Sequence, residues 1–135
     1  MIPPVAEEFL RAHTRTFLVT LRADGAPACH PMVGVWQQGA LYMNTYRKSA
    51  KARSMEREPR VACVVVTGDD EPRFRGVVIR GRAEFLPPAE RAPTGSRPAG
   101  VGGDVTHLVQ TRLAEGKRVV VRVVADDVRL VGDHG

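Results

Sequence analysis

From Arg75 to Leu86 the chain alternates, with Ile79, Gly81, Ala83 and Phe85 on one side of an extended backbone and Arg80, Arg82 and Glu84 on the other. A helix repeats its faces every three to four residues and cannot satisfy a period of two, so this segment reads as a strand with one buried face. The pattern recurs nearer the N-terminus. There Phe17, Val19 and Leu21 oppose Thr16, Thr20 and Arg22, and Asp24-Gly25 supplies the backbone freedom for a hairpin turn. The next strand, Ala28 to Trp36, is therefore predicted to pair with the first. It contains Pro31, which has no N–H to give to a ladder, so an edge, a bulge or an interrupted ladder is expected.

The remaining elements follow from the same signals. Gln37-Gln38-Gly39 makes a turn into a third strand, Leu41 to Thr45. Arg60 to Thr67 is a β-branched fourth strand, Arg75 to Leu86 the fifth, and Arg118 to Val131 the last, with an irregularity at Ala125-Asp126-Asp127. A first helix starts at Pro3-Pro4, carries Val5, Phe9 and Ala12 at helical spacing and ends near His13. A second runs from Ala50 to Glu58 and stops at Pro59. Pro87 to Gly103, rich in proline and glycine, is expected to be a mobile loop, and Asp104 to cap a helix through Leu113 that Gly116 ends. Six strands with short helices and no βαβ periodicity predict a mostly β fold, an antiparallel sheet closing into a six-stranded barrel.

At 135 residues and 43% apolar composition, residues 1–135 are expected to form one domain around one core. Cys29 and Cys63 fit neither a disulfide framework nor a metal-ligand spacing, so both are expected to be reduced and buried, as in a cytoplasmic protein, with no metal site. No export signal is visible and the longest apolar run is the six residues Val61 to Val66, so no membrane span is expected. A formal charge of +5 attracts anions of any kind.

The location of the charge narrows the choice. Arg47, Lys48, Lys51 and Arg53 crowd into Asn44-Thr45-Tyr46-Arg47-Lys48-Ser49-Ala50-Lys51-Ala52-Arg53, which crosses from a strand end into a helix start. Free N–H groups and the positive end of the helix dipole gather there, so each cation costs about 0.3–1 kcal/mol, a penalty that a bound phosphate reverses. Thr45 and Ser49 add hydroxyl donors; the same cations would also be explained by plain solvation. Gly100-Val101-Gly102-Gly103 fails as a dinucleotide fingerprint because no strand precedes it. His30 is a candidate on the interrupted strand, although a lone histidine is more often structural, and Trp36 and Tyr42 suit core or interface packing. No nucleophile triad, carboxylate pair or His-x-x-x-His is present, which leaves side-chain or metal-assisted hydrolysis without support. With one Trp, two Tyr and four Phe there is little to stack on bases, which argues against nucleic acid.

The order of these motifs resembles the pyridoxamine 5′-phosphate oxidase-like, FMN-binding split-barrel superfamily, including its small deazaflavin-dependent reductase branch. The carrying residues are Asp24-Gly25-Ala26-Pro27, Pro31, Leu41-Tyr42-Met43-Asn44-Thr45, Ser49-x-Lys51, Glu58-Pro59-Arg60-Val61 and Arg80-Gly81-Arg82-Ala83-Glu84, spanning about half the chain. The resemblance implies a split barrel that dimerises, with two sites at the subunit interface for FMN or the deazaflavin F420. It places the ring along His30, Pro31, Met32 and Val33, and the phosphate on Thr45, Ser49 and Lys51, flanked by Asn44, Tyr46 and Arg53. The vitamin B6 oxidase itself has an arginine where His30 stands, a lysine at Val35 and an arginine at Ala50, and ends in an Arg-x-His signature that Val128 to Gly135 lacks. The resemblance thus implies a reductase acting on a small organic substrate rather than oxidation of pyridoxamine phosphate. Hydride transfer belongs to the cofactor, and the proton comes from solvent, His30 or Tyr46. The competing reading is a flavin or tetrapyrrole carrier without turnover.

Overall fold

A computed structural model of the protein describes residues 2–87 and 117–135. The expected loop beyond Pro87 and the helix opened by Asp104 lie outside the described residues. The elements run α1 (Pro4–Ala12), β1 (Arg15–Leu21), β2 (Pro27–Val33), β3 (Val35–Gln37), β4 (Ala40–Tyr46), α2 (Ala50–Arg57), β5 (Arg60–Val66), β6 (Arg75–Phe85) and β7 (Arg118–Gly132). The strands form one antiparallel sheet in the order β2-β1-β5-β6-β7-β4-β3. Its two ends curl toward each other, so that β2 and β4 approach without pairing. This is a split barrel of seven strands among the described residues, one more than the six expected.

The extra strand comes from Gly34. The expected strand from Ala28 to Trp36 is cut there: β2 pairs with β1 at one end of the sheet and β3 with β4 at the other. A Cβ at Gly34 would lie 2.6 Å from Thr16 Oγ1 and 3.0 Å from Leu41 Cδ1, so only glycine lets the chain pass between the two halves. Pro31 accordingly sits on an edge strand. The five-residue turn between β1 and β2 closes through Gly25 N–H to the Arg22 carbonyl at 2.9 Å, with Gly25 at φ +85°.

The barrel interior takes Thr16, Leu18 and Thr20 from β1, Val61, Cys63 and Val65 from β5, Val77 and Ile79 from β6, and Val121 and Val123 from β7. Burial pushes the Cys63 thiol up to about 12. Cys29 is exposed rather than buried, because it points outward from the edge strand, where no further strand covers it. β6 buries the Ile79, Gly81 and Ala83 face, as its alternation predicts. In β7 the register slips opposite Arg80 and Gly81, pairing Arg80 with Asp127 and Gly81 with Ala125, which makes Asp126 the extra residue of a bulge at the expected irregularity.

α1 closes one end of the barrel, with Ala6, Phe9 and Leu10 buried, so its inward stripe is rotated from the expected Val5, Phe9 and Ala12, and Val5 is exposed. His13 follows the helix and ties it down, its Nδ1 2.9 Å from the Phe9 carbonyl and its Nε2 2.7 Å from Glu71 Oε1. Arg75, at 2.8 Å, is the main cause that holds the Glu71 carboxyl below the ordinary range, and His13 adds to it against a desolvation penalty. A carboxyl lowered by folding contributes stability above its unfolded value and loses it as pH falls through the folded one. Below about pH 4.5 the melting temperature of the wild type should therefore fall more steeply than that of Glu71→Gln. Parallel acid limbs would show that the pairing contributes nothing.

Candidate functional site

The gap between the two ends of the sheet is where chemistry-bearing side chains meet. β2 alternates His30 and Met32 toward the interior with Pro31 and Val33 outward. His30 sits opposite Leu18 in register, and its Nε2 lies 3.3 Å from the hydroxyl of Thr20, a residue only 1% exposed. The imidazole is held below its ordinary value of 6.5, first by burial and second by the charge of Lys51. Lys51 belongs to α2, so the second of these causes comes from the helix start.

Local chain geometry sets α2 in place. The turn after β4 closes through Ser49 N–H to the Tyr46 carbonyl at 3.0 Å. Ser49 is the N-cap, accepting from Ala52 N–H at 3.2 Å, and its hydroxyl lies 3.3 Å from that of Thr45, which is 2% exposed. Ala52 and Met55 anchor the helix to the core, and Arg57 reaches the Leu21 carbonyl at 3.1 Å, which holds α2 against the β1 end. The first turn has no acidic residue, against the usual preference of helix starts. Two hydroxyls, a lysine and the N–H groups of the first turn form a donor set without a carboxylate among the described residues, which fits a phosphate and gives no purchase to a cation.

The expected site residues separate into groups. His30, Met32, Thr45, Ser49 and Lys51 border the interior side of the gap, whereas Pro31 and Val33 lie on the outer face of β2 and Arg53 is exposed on α2. Asn44 and Tyr46 lie on the opposite face of β4 from Thr45. There they meet Arg118 of β7, which donates to Asn44 Oδ1 and lays its guanidinium 4.3 Å from the Tyr46 ring centroid. The Arg118 Nε is buried with no hydrogen-bond partner among the described residues. Sequence reading missed Thr20 and Arg118. Thr20 looked like the polar face of a half-exposed strand, and Arg118 becomes visible only once β7 is known to pair Arg118 with Tyr46.

Comparisons with known proteins bear on this geometry. The family model described as pyridoxamine 5′-phosphate oxidase matches residues 2–132. No curated protein sequence matches the chain. The crystal structure of the conserved hypothetical protein Rv2991 from Mycobacterium tuberculosis is 28% identical over 99% of this chain and 86% of its own, with a TM-score of 0.73. A solved F420 reductase is 23% identical over 95% of this chain and 98% of its own, at a TM-score of 0.67. A heme binding protein from Mycobacterium smegmatis is 20% identical, with 100% of this chain covering 57% of it at a TM-score of 0.71, a likeness of fold. With the model match running almost end to end over a seven-stranded split barrel, the chain belongs to the pyridoxamine 5′-phosphate oxidase family.

Proposed function

We propose that this protein is an oxidoreductase of the reductase type, which holds FMN or the deazaflavin F420 by its phosphate and works as a homodimer in the cytoplasm. The observation that carries the reading is the donor set at the start of α2, where the Ser49 cap lies 3.3 Å from the Thr45 hydroxyl and Lys51 stands in a first turn without an acid. A ring lying along β2 and a phosphate at the helix start need β2 and the β4 end beside each other, and β2 and β4 approach across the gap. The likeness to a solved F420 reductase supports the choice of cofactor class.

In this reading Lys51 supplies the charge, Ser49 and Thr45 the hydroxyls, and the first-turn N–H groups the remaining donors to phosphate. When bound, the cofactor supplies hydride transfer to a small organic substrate. His30 and Met32 form the inner wall of the ring site, and His30 is a group able to hold or release a proton there. Pro31 and Val33 face out and contribute to the dimer surface. The outer face of the sheet carries a row in register, Pro31, Phe17, Val64 and Val78, all exposed or half-exposed. A half-apolar sheet face of this kind supports association with a second copy.

Sedimentation at micromolar concentration should give a dimer, and Phe17→Glu, which sets a charge in that row, should give a monomer; a wild-type monomer in the presence of cofactor would contradict the assembly. Absorption spectra of the purified protein with FMN and with the deazaflavin identify the cofactor. Stopped-flow oxidation of the reduced cofactor by a panel of small acceptors then separates reductase from carrier. Tight binding without turnover for any acceptor would favour the carrier, and binding of neither cofactor would end the reading.

A further inference from the structure

We propose that Arg118, fixed on the outer face of the sheet by Asn44 and Tyr46, recognises a carboxylate, and that the small molecule bound there is an organic acid. The inference deepens the reading above by giving the substrate a chemical class; it rests on that reading for the reaction but not for the binding. Its basis is a comparison of arginines. Arg75, Arg118 and Arg122 are the half-buried ones among the described residues. Arg75 gives Nη2 to Glu71 Oε2 at 2.8 Å, and Arg122 gives Nε and Nη2 to Glu84 Oε2 at 3.1 and 2.8 Å. Arg118 meets no carboxylate among the described residues. Its Nη1 donates to the neutral amide oxygen of Asn44, its guanidinium lies on the Tyr46 ring, and its Nε is buried without an acceptor.

A guanidinium withdrawn from water calls for an anion, because neither an amide oxygen nor a ring face cancels its charge. The edge suited to one is the part left over. Nε and Nη2 carry parallel N–H bonds on one side of the group, the side that Arg122 turns on Glu84 and that Arg80 turns on Asp127 at 3.1 and 2.7 Å. In Arg118 the contacts that fix the side chain use Nη1 and the face of the plane, so neither consumes that edge. The surroundings choose the kind of acid. β4 and β7 pair Tyr46 with Arg118, Asn44 with Val120 and Tyr42 with Arg122, which sets all six on one face. Tyr42 and Val120 form a buried apolar cluster there with Leu86. An inorganic anion gains nothing from such neighbours, whereas the carbon body of an organic acid does. The place also fits the proposed cofactor site. Ser49 N–H bonds the Tyr46 carbonyl at 3.0 Å and Arg47 N–H the Lys117 carbonyl at 2.9 Å, so Arg118 stands at the same strand end as the phosphate donors.

The test follows the Arg118 Nε–H resonance by nuclear magnetic resonance while sodium benzoate, benzamide or sodium chloride is added to the purified protein. The signal is assigned by its loss in Arg118→Lys. Benzoate should move it saturably. Benzamide has the ring without the charge and chloride the charge without the ring, so neither should. Arg118→Lys keeps the charge but lacks the parallel donors, and should bind benzoate about tenfold more weakly or worse. Lys51→Ala should bind it as the wild type does. An Nε–H unmoved by benzoate, or moved equally by chloride, overturns the proposal, and that outcome is read on the wild type alone. Loss of benzoate binding in Lys51→Ala as large as in Arg118→Lys also overturns it, by assigning the acid to the phosphate site. Benzoate binding at Arg118 in a protein that takes up neither FMN nor the deazaflavin leaves the acid site standing while the reductase reading falls. Among matched acceptors, acids should be reduced faster than their amides by the wild type and lose that lead in Arg118→Lys; amides reduced faster by the wild type would overturn the substrate class.

Discussion

Gly81→Ala should destabilise the protein by about 3 kcal/mol or more, at or beyond the upper end for forced overpacking, and abolish folding when combined with any mild core lesion. A Cβ at Gly81 would land on the Val124 carbonyl oxygen, and would lie 2.9 Å from the Val124 carbonyl carbon and 3.1 Å from Ala125 Cα. Those are backbone atoms of the neighbouring strand, so no side chain can turn away to make room. Relief requires β6 and β7 to separate beside the bulge at Asp126, along the longest ladder of the sheet. Gly25→Ala is the control, since Gly25 has open space around it but φ +85°, and only the backbone preference of about 1 kcal/mol is lost there. Trp36, the one tryptophan and 5% exposed, reports unfolding by fluorescence. Urea midpoints for the two variants within experimental error of each other would refute the close approach.

Gly81 also shows what the sequence makes legible. Its place in an alternating strand and the irregularity opposite it follow from local pattern, as do the β1–β2 hairpin at Asp24-Gly25 and the end of α2 before Pro59. Such features depend on a few neighbouring residues. Three others depend on the curled sheet and were not legible. Which face of β1 turns inward is one: the interior takes Thr16, Leu18 and Thr20, while Phe17, Val19 and Leu21 stay half-exposed. Apolar residues on both faces of a strand do not say which face meets the core and which is left for a partner. The break at Gly34 is the second, because the need for glycine arises from Thr16 and Leu41, distant in sequence. The exposure of Cys29 is the third, since it follows from β2 being the last strand at its end of the sheet.

The candidate site divides in the same way. Ser49, Lys51 and Thr45 were found because capping and charge at a helix start are local properties, and the structure groups Thr45 with Ser49 at 3.3 Å. His30 was found through its interrupted strand. That it meets Thr20 and feels Lys51 is a tertiary fact, set by the curl that brings β2, β1 and α2 together.

Lys51→Ala should weaken cofactor binding by about 1.5–3 kcal/mol, the range for a charge-assisted hydrogen bond and equivalent to roughly 10- to 150-fold in Kd. The same change should leave the empty protein no less stable, and slightly more so, because it removes a cation from the positive end of α2, whose first turn has no compensating acid. The two effects have opposite signs, and each alternative role for Lys51 predicts another combination. A packing role gives a lower Tm with unchanged affinity, and a solvated lysine changes neither. Substitution also lifts one of the two causes that hold the His30 imidazole below its ordinary value, leaving burial alone, so the His30 midpoint in the empty protein should move up. That shift is read without any cofactor and tests the proximity of the two side chains by itself. Calorimetric titration of FMN and of the deazaflavin into wild type and Lys51→Ala, with thermal melts of both, completes the comparison. Unchanged affinity for both cofactors would sink the phosphate assignment even if the His30 midpoint moved, since proximity of a lysine to an imidazole does not by itself make an anion site.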